Sequence, residues 1–248
     1  MKKFIPFILL AFFLSTSLFS QKQHPLNLER LDLQIVHFGY SLGLNMMDFT
    51  IRPSDNFLAD FPTDTVFGVE VGRFVGFNVN MIANIRLGKY FDLRFLPGIN
   101  FGQRALHYKY IRYGEFQKKT MNIESTFLDI PIIVKYKAAR INNWRPFVIA
   151  GIDGKCDLAS QKKIAAKDMP KIRLSRWDAY YEIGGGIDLF LEYFMFGIEV
   201  KASWGIFNIC ERDNTQFTAY YKKLNSRMIH ISFHFEGGKI DFLKAKYK

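Results

Sequence analysis

Near the end of the chain, His230-Ile231-Ser232 sets an imidazole and a hydroxyl two residues apart, and His234 and Glu236 continue the same spacing. A histidine able to take a serine proton is the minimum for nucleophilic acyl chemistry, provided a third group orients the base. On an extended strand residues i and i+2 share a face, so the spacing permits the pair. Ile229, Ile231, Phe233 and Phe235 hold the other parity, and the polar side is therefore expected to face inward, away from any lipid substrate. Histidines four residues apart on a strand lie too far apart for one ion, and no cluster of cysteines or carboxylates supports them as ligands. Gly184-Gly185-Gly186 lacks the following helix that a phosphate-binding loop requires, and reads as close backbone packing or a strand bend. No catalytic residue, metal ligand or cofactor site is assigned, and the chain is not expected to be an enzyme.

These residues sit on strand-length stretches in which apolar and polar residues alternate. From Gly76 to Leu87, Phe77, Val79, Met81, Ala83, Ile85 and Leu87 hold one parity, while Gly76, Asn78, Asn80, Asn84 and Arg86 hold the other; Ile82 alone departs. Soluble half-buried strands share this period, so the number of stretches and their connections must decide. Eight stretches are legible: 36–51, one ending at Leu87, one running from Phe91 toward Tyr110, then 123–137, 144–153, 177–189, 194–206 and 229–236. The joints alternate long and short: 52–66, 88–90, 112–120, 139–143, 155–175, 191–193 and 210–225. Outer-membrane barrels combine an even strand number with short periplasmic turns and longer outer loops. The pattern predicts an all-β, eight-stranded antiparallel transmembrane outer-membrane β-barrel with both termini in the periplasm.

Eight strands enclose a lumen only wide enough for side chains to fill. The inner parity is expected to bring Arg86, Asp92, Arg94, Asp178, Glu182, Asp188, Glu199, Lys201, His230, His234 and Glu236 there. Buried charges persist when paired and hydrogen-bonded, which predicts a self-satisfied polar plug rather than an ion path. Trp144 to Asp153 is apolar enough on both parities that either could face lipid.

Met1-Lys2-Lys3, the apolar run Phe4 to Phe13 and a small-residue exit read as a secretory signal over 1–20, cut between Ser20 and Gln21. A periplasmic segment at 21–35, the barrel at 36–236 and a basic periplasmic tail at 237–248 follow. Mean hydropathy is −0.03, but alternation hides a lipid-facing surface from any average. The 26 Phe and 12 Tyr suit outer bands and interfacial girdles. Part of the net charge of +11 falls in the long connections: Lys155, Lys162, Lys163, Lys167, Lys171, Arg173 and Arg176 in one, Arg112, Lys118 and Lys119 in another. Outer-membrane lipid and lipopolysaccharide head groups, or an acidic protein, are the expected partners; nucleic acid and a small-molecule substrate are not. Cys156 and Cys210 fall at the outer ends of the fifth and seventh stretches, separated by the sixth, about 10 Å apart and beyond easy disulfide reach.

The run Phe127-Leu-Asp-Ile-Pro131 through Lys135-Tyr136, Arg145-Pro-Phe147 to Gly151, Gly184-Gly-Gly-Ile-Asp188 and Glu199-Val-Lys201 to Asn208 resemble the outer-membrane β-barrel superfamily common in Bacteroidota. The opening stretch, His37-Phe-Gly-Tyr-Ser-Leu-Gly-Leu-Asn-Met-Met-Asp-Phe49, more narrowly resembles the PorT (SprT) family. That resemblance implies a non-enzymatic component of the type IX secretion system, needed for surface delivery of cargo proteins and, in some relatives, for gliding motility. Other proteins of that system would be its partners. The alternatives are an outer-membrane adhesin, a lipopolysaccharide-binding barrel or, on the two residues His230 and Ser232, a barrel enzyme that modifies lipid A.

Overall fold

The computed structural model describes residues 25–54, 64–159, 172–211, 218 and 220–237. A short helix, α1 (Glu29–Leu33), precedes β1 (Val36–Pro53), β2 (Asp64–Arg73), β3 (Val75–Arg86), β4 (Phe91–Phe95), β5 (Gly98–Arg112), β6 (Glu115–Lys137), β7 (Trp144–Asp157), β8 (Trp177–Phe190), β9 (Met195–Gly205) and β10 (Tyr221–Glu236). Phe74 alone separates β2 from β3, and Leu96-Pro97 separates β4 from β5, where proline has no N–H to give the ladder. Each pair acts as one stave, so the ring has eight.

Every neighbouring pair is antiparallel, and β1 closes the ring between β10 and β3. Paired residues traced across the strands from Asp48 run through Arg227, Trp204, Tyr181, Ile152, Ile132, Phe95 and Ala83. The path returns to β1 at Phe38, ten residues below its start. With strands ~4.8 Å apart and a rise of ~3.4 Å per residue, eight staves with that stagger tilt by about 40°.

Pleating sorts the side chains. On β6, Leu128, Ile130, Ile132, Val134 and Tyr136 are exposed, while Asp129, Ile133, Lys135 and Lys137 between them are buried. Outward residues turn polar at one level on β1, β5, β6 and β10, at Asp48, Gln103, Thr126 and Asn225. Below that level the outer face stays apolar as far as an aromatic girdle, in which Tyr40 stacks on Phe235, Phe196 lies against Phe235, and Phe91 meets Tyr136.

Tertiary pairing settles or corrects several expectations. On β7, Trp144, Val148 and Ile152 face outward. Phe147 and Ile149 instead join Ile82, Leu96 and Ile133 in an apolar layer across the lumen, which explains why Ile82 departs from its stretch's alternation. The charged connection expected at 112–120 is a hairpin: β5 and β6 stay paired up to Tyr113-Gly114, whose φ of 51° and 81° suit a type I′ turn. β7 runs four residues past Asp153, placing Lys155 inside the barrel and not on an outer loop. Among the described residues no disulfide forms; Cys156 and Cys210 are both buried thiols.

The short-turn end is closed by the segment before β1. Leu31 of α1 is buried against Phe190 and Met195, and Asp32 receives Arg140 at 2.9 Å and Arg145 at 2.8 Å. At the other end β2, β5 and β6 rise beyond the apolar band, and their inner faces supply Val66, Leu106, Tyr108 and Met121 to a cluster with Phe49, Tyr221 and Leu224.

A charge at mid-band on the lipid face tests this assignment of faces. Ile132→Arg is expected to lose about 2–4 kcal/mol of folding stability in bilayers, read as a lower urea midpoint of heat-modifiable gel migration; Ile133→Val, inside, is expected to cost only about 1 kcal/mol.

Candidate functional site

The polar parity of β1 and β3 to β10 converges on the axis, where a ladder of ion pairs fills the lumen. Nearest α1, Lys137 meets Asp92 at 2.5 Å, and Lys135 binds both oxygens of Asp188, at 2.8 and 2.7 Å. Arg145 links this layer to Asp32, reaching Asp188 at 3.4 Å. In the next layer Arg94, fully buried, bridges Glu236 and Glu199. His37 Nε2 lies 2.7 Å from Glu236, and His234 Nε2 lies 3.2 Å from Glu199. The Arg94 and Lys135 cations also lie over the Phe147 ring, at 5.9 and 3.8 Å.

Farther up, Lys155 Nζ sits among three carboxylates: Asp153 at 2.5 Å, Asp129 at 2.7 Å and Glu182 at 4.0 Å. Lys201 and Ser203 hold the two oxygens of Glu182, at 2.7 and 2.8 Å. Arg104 crosses to Ser226 at 2.6 Å and Ser125 at 2.8 Å, its guanidinium between the rings of Phe49 and Phe127. Asp178 accepts backbone N–H groups of Ala179, at 2.9 Å, and Phe207, at 3.2 Å.

Long cations need room, and glycine provides it. A Cβ at Gly186 would lie 2.7 Å from the Phe147 ring, and one at Gly184 would lie 2.9 Å from Lys201 Cα, so the Gly184-Gly185-Gly186 run is a packing device. Two small cavities within the described residues each measure about 10 Å³, one beside α1 and one beside Ser232. Each holds about one water at most.

Of the residues expected in the lumen, Asp92, Arg94, Asp178, Glu182, Asp188, Glu199, His230, His234 and Glu236 are buried there, with Lys201 nearly so. Arg86 lies at the short-turn mouth and donates to the Asp32 carbonyl. Arg104, Asp129, Lys135, Lys137 and Asp153 also belong to the network; strict parity carried along β5 and β6 identifies the first four, whereas Asp153 lies on the stretch whose two faces look alike. His230 and Ser232 are both buried on the inner face, and among the described residues no carboxylate hydrogen-bonds His230, so the base lacks an orienting group. Arg173 and Arg176 lie just before β8. Ser20, Gln21, Lys162, Lys163, Lys167 and Lys171 lie outside the described residues.

Removing one member of a buried charge group leaves the others uncompensated. Lys155→Met is expected to destabilise the barrel by about 3–5 kcal/mol, measured as the urea midpoint of folding into lipid vesicles. Combining it with Asp153→Asn is expected to restore part of the loss, because one orphaned carboxylate is then removed.

The chain superposes on Neisserial surface protein A at 10% identity with a TM-score of 0.42, covering 80% of this chain and 96% of that one. For OprG of Pseudomonas aeruginosa the values are 11%, 0.43, 81% and 95%. Ail, the attachment invasion locus protein of Yersinia pestis, in complex with the heparin analogue sucrose octasulfate, gives 9%, 0.39, 82% and 99%. No curated protein matches the chain in sequence. Residues 19–211 match the outer membrane protein beta-barrel domain family, and the chain, with its closed ring of eight staves, belongs to that family.

Proposed function

We propose that this outer-membrane barrel is a non-enzymatic component of the type IX secretion system, an assembly or accessory factor needed to deliver cargo proteins to the cell surface. The observation that carries the reading is the filled lumen. Ion pairs occupy its length, α1 caps one mouth and the Phe49–Tyr108–Leu224 cluster fills the other. A protein built this way acts through its outer surfaces and its two ends, not as a conduit. The narrower assignment rests on the resemblance of the His37 to Phe49 stretch to the PorT family. In that reading the short turns, α1 and both termini lie in the periplasm, as is usual for barrels of this kind, and the partners are other components of the system.

A second reading, an adhesin, draws on the β5–β6 hairpin, whose tip exposes Tyr113 and Phe116 at 88% and 78%. Deleting the gene separates the two. Loss of cargo from the cell surface, with cargo retained inside, is the expected result; intact delivery with weakened surface attachment would replace the secretion reading by the adhesin one. Reconstituted in planar bilayers, the purified protein is expected to show no protein-sized conductance.

A further inference from the structure

Where β1, β10 and β2 meet on the outside of the barrel, one carboxylate gathers two arginines. Asp48 has the outward parity of β1, paired across the ladder with Arg227 of β10. Arg227 and Arg73, at the end of β2, both reach Asp48 Oδ2, Arg73 through Nε at 3.0 Å. The carboxylate is covered, at 7% side-chain exposure, yet the arginines remain 55% (Arg73) and 38% (Arg227) exposed. Two outward rungs higher on the same seam, past Thr50 and Asn225, Arg52 pairs across the ladder with Lys223, about 14 Å farther along the strand. Two cations therefore share one acid, and two more continue the basic seam above it.

The level of this cluster is as informative as its charge. It lies where the outer faces of β1, β5, β6 and β10 turn polar. Directly below, Val75, Met46, Ile229, Leu44 and Phe77 are exposed and apolar. On the other side of Arg227 its ladder partner is Trp204, stacked on Tyr181 with ring centroids 5.2 Å apart, as befits an interfacial aromatic belt. A single arginine would neutralise Asp48. The second leaves an excess of positive charge, and the shared carboxylate offsets the repulsion between two guanidiniums held side by side. Guanidinium edges presented in this way suit the bidentate recognition of phosphate oxygens.

We infer that this seam binds the phosphorylated headgroup of a lipid A-type glycolipid, with a phosphate between Arg73 and Arg227, further anionic groups toward Arg52 and Lys223, and acyl chains along Met46, Ile229 and Val75. The choice of this lipid rests on the proposed orientation, which puts the long-loop end in the outer leaflet.

The test measures binding of defined lipids to the purified full-length barrel in neutral detergent by native mass spectrometry. Diphosphoryl lipid A is expected to bind at least about tenfold more tightly than lipid A stripped of phosphate, and Arg73→Gln with Arg227→Gln is expected to remove that preference, the equivalent of one charge-assisted hydrogen bond or more. Arg73→Lys, which keeps charge but loses the fork, is expected to retain only part of it. Heat-modifiable migration confirms that each variant is folded. Equal binding of phosphate-free lipid A, an unaltered preference in the double variant, or equally tight binding of phosphatidylglycerol would each overturn the proposal. Cargo delivery does not enter this measurement, so failure here and failure of the secretion reading are separately visible.

Discussion

Closure of the hydrogen-bonded ring is the constraint on which the rest depends. In hydrocarbon an unpaired backbone N–H or C=O costs several kcal/mol, so a sheet can cross a membrane only without edges. Here the pairing of β1 with both β10 and β3 removes the edges. Closure at eight staves with a ten-residue stagger fixes the tilt and the width, and the width leaves room for side chains alone. Whatever points inward must then be accommodated without bulk water.

The interior meets that demand with opposed charges rather than with oil alone. Arg94 between Glu236 and Glu199, and Lys155 among Asp153, Asp129 and Glu182, are arrangements in which each ion is costly without the others. The apolar layer of Ile82, Leu96, Ile133, Phe147 and Ile149 and the cluster above Arg104 interrupt the ladder, so the lumen is a stack of polar and apolar layers. Such a core stabilises shape, and His230 and Ser232 are buried within it. The surfaces this filled lumen leaves accessible are the band edge at Asp48, the raised hairpin and the α1-capped mouth.

Much of this was legible because alternation and loop length are local properties. The parity of β3, β8, β9 and β10 follows directly from residues such as Phe77/Asn78 and Phe233/His234. It failed where local sequence is symmetric between faces, as in Trp144 to Asp153, and where an inward apolar residue such as Ile82 serves a layer completed by four distant residues. Lys155 read as loop because basic residues follow it, yet its burial depends on carboxylates contributed by β6 and β8. The tract 112–120 read as a loop because its residues are charged, yet β5 pairs with it residue for residue and carries both strands past the membrane.

By itself the sequence determined the class, the number of staves and which residues turn inward along most of them, since a period of two and the lengths of connections are properties of neighbours in the chain. Only the tertiary structure decided the register, the partners of each buried charge, the capping of one mouth by α1 and the convergence of Arg73 and Arg227 on Asp48. Those depend on the stagger at which the ring closes, which brings together residues up to 199 positions apart and which no local pattern specifies.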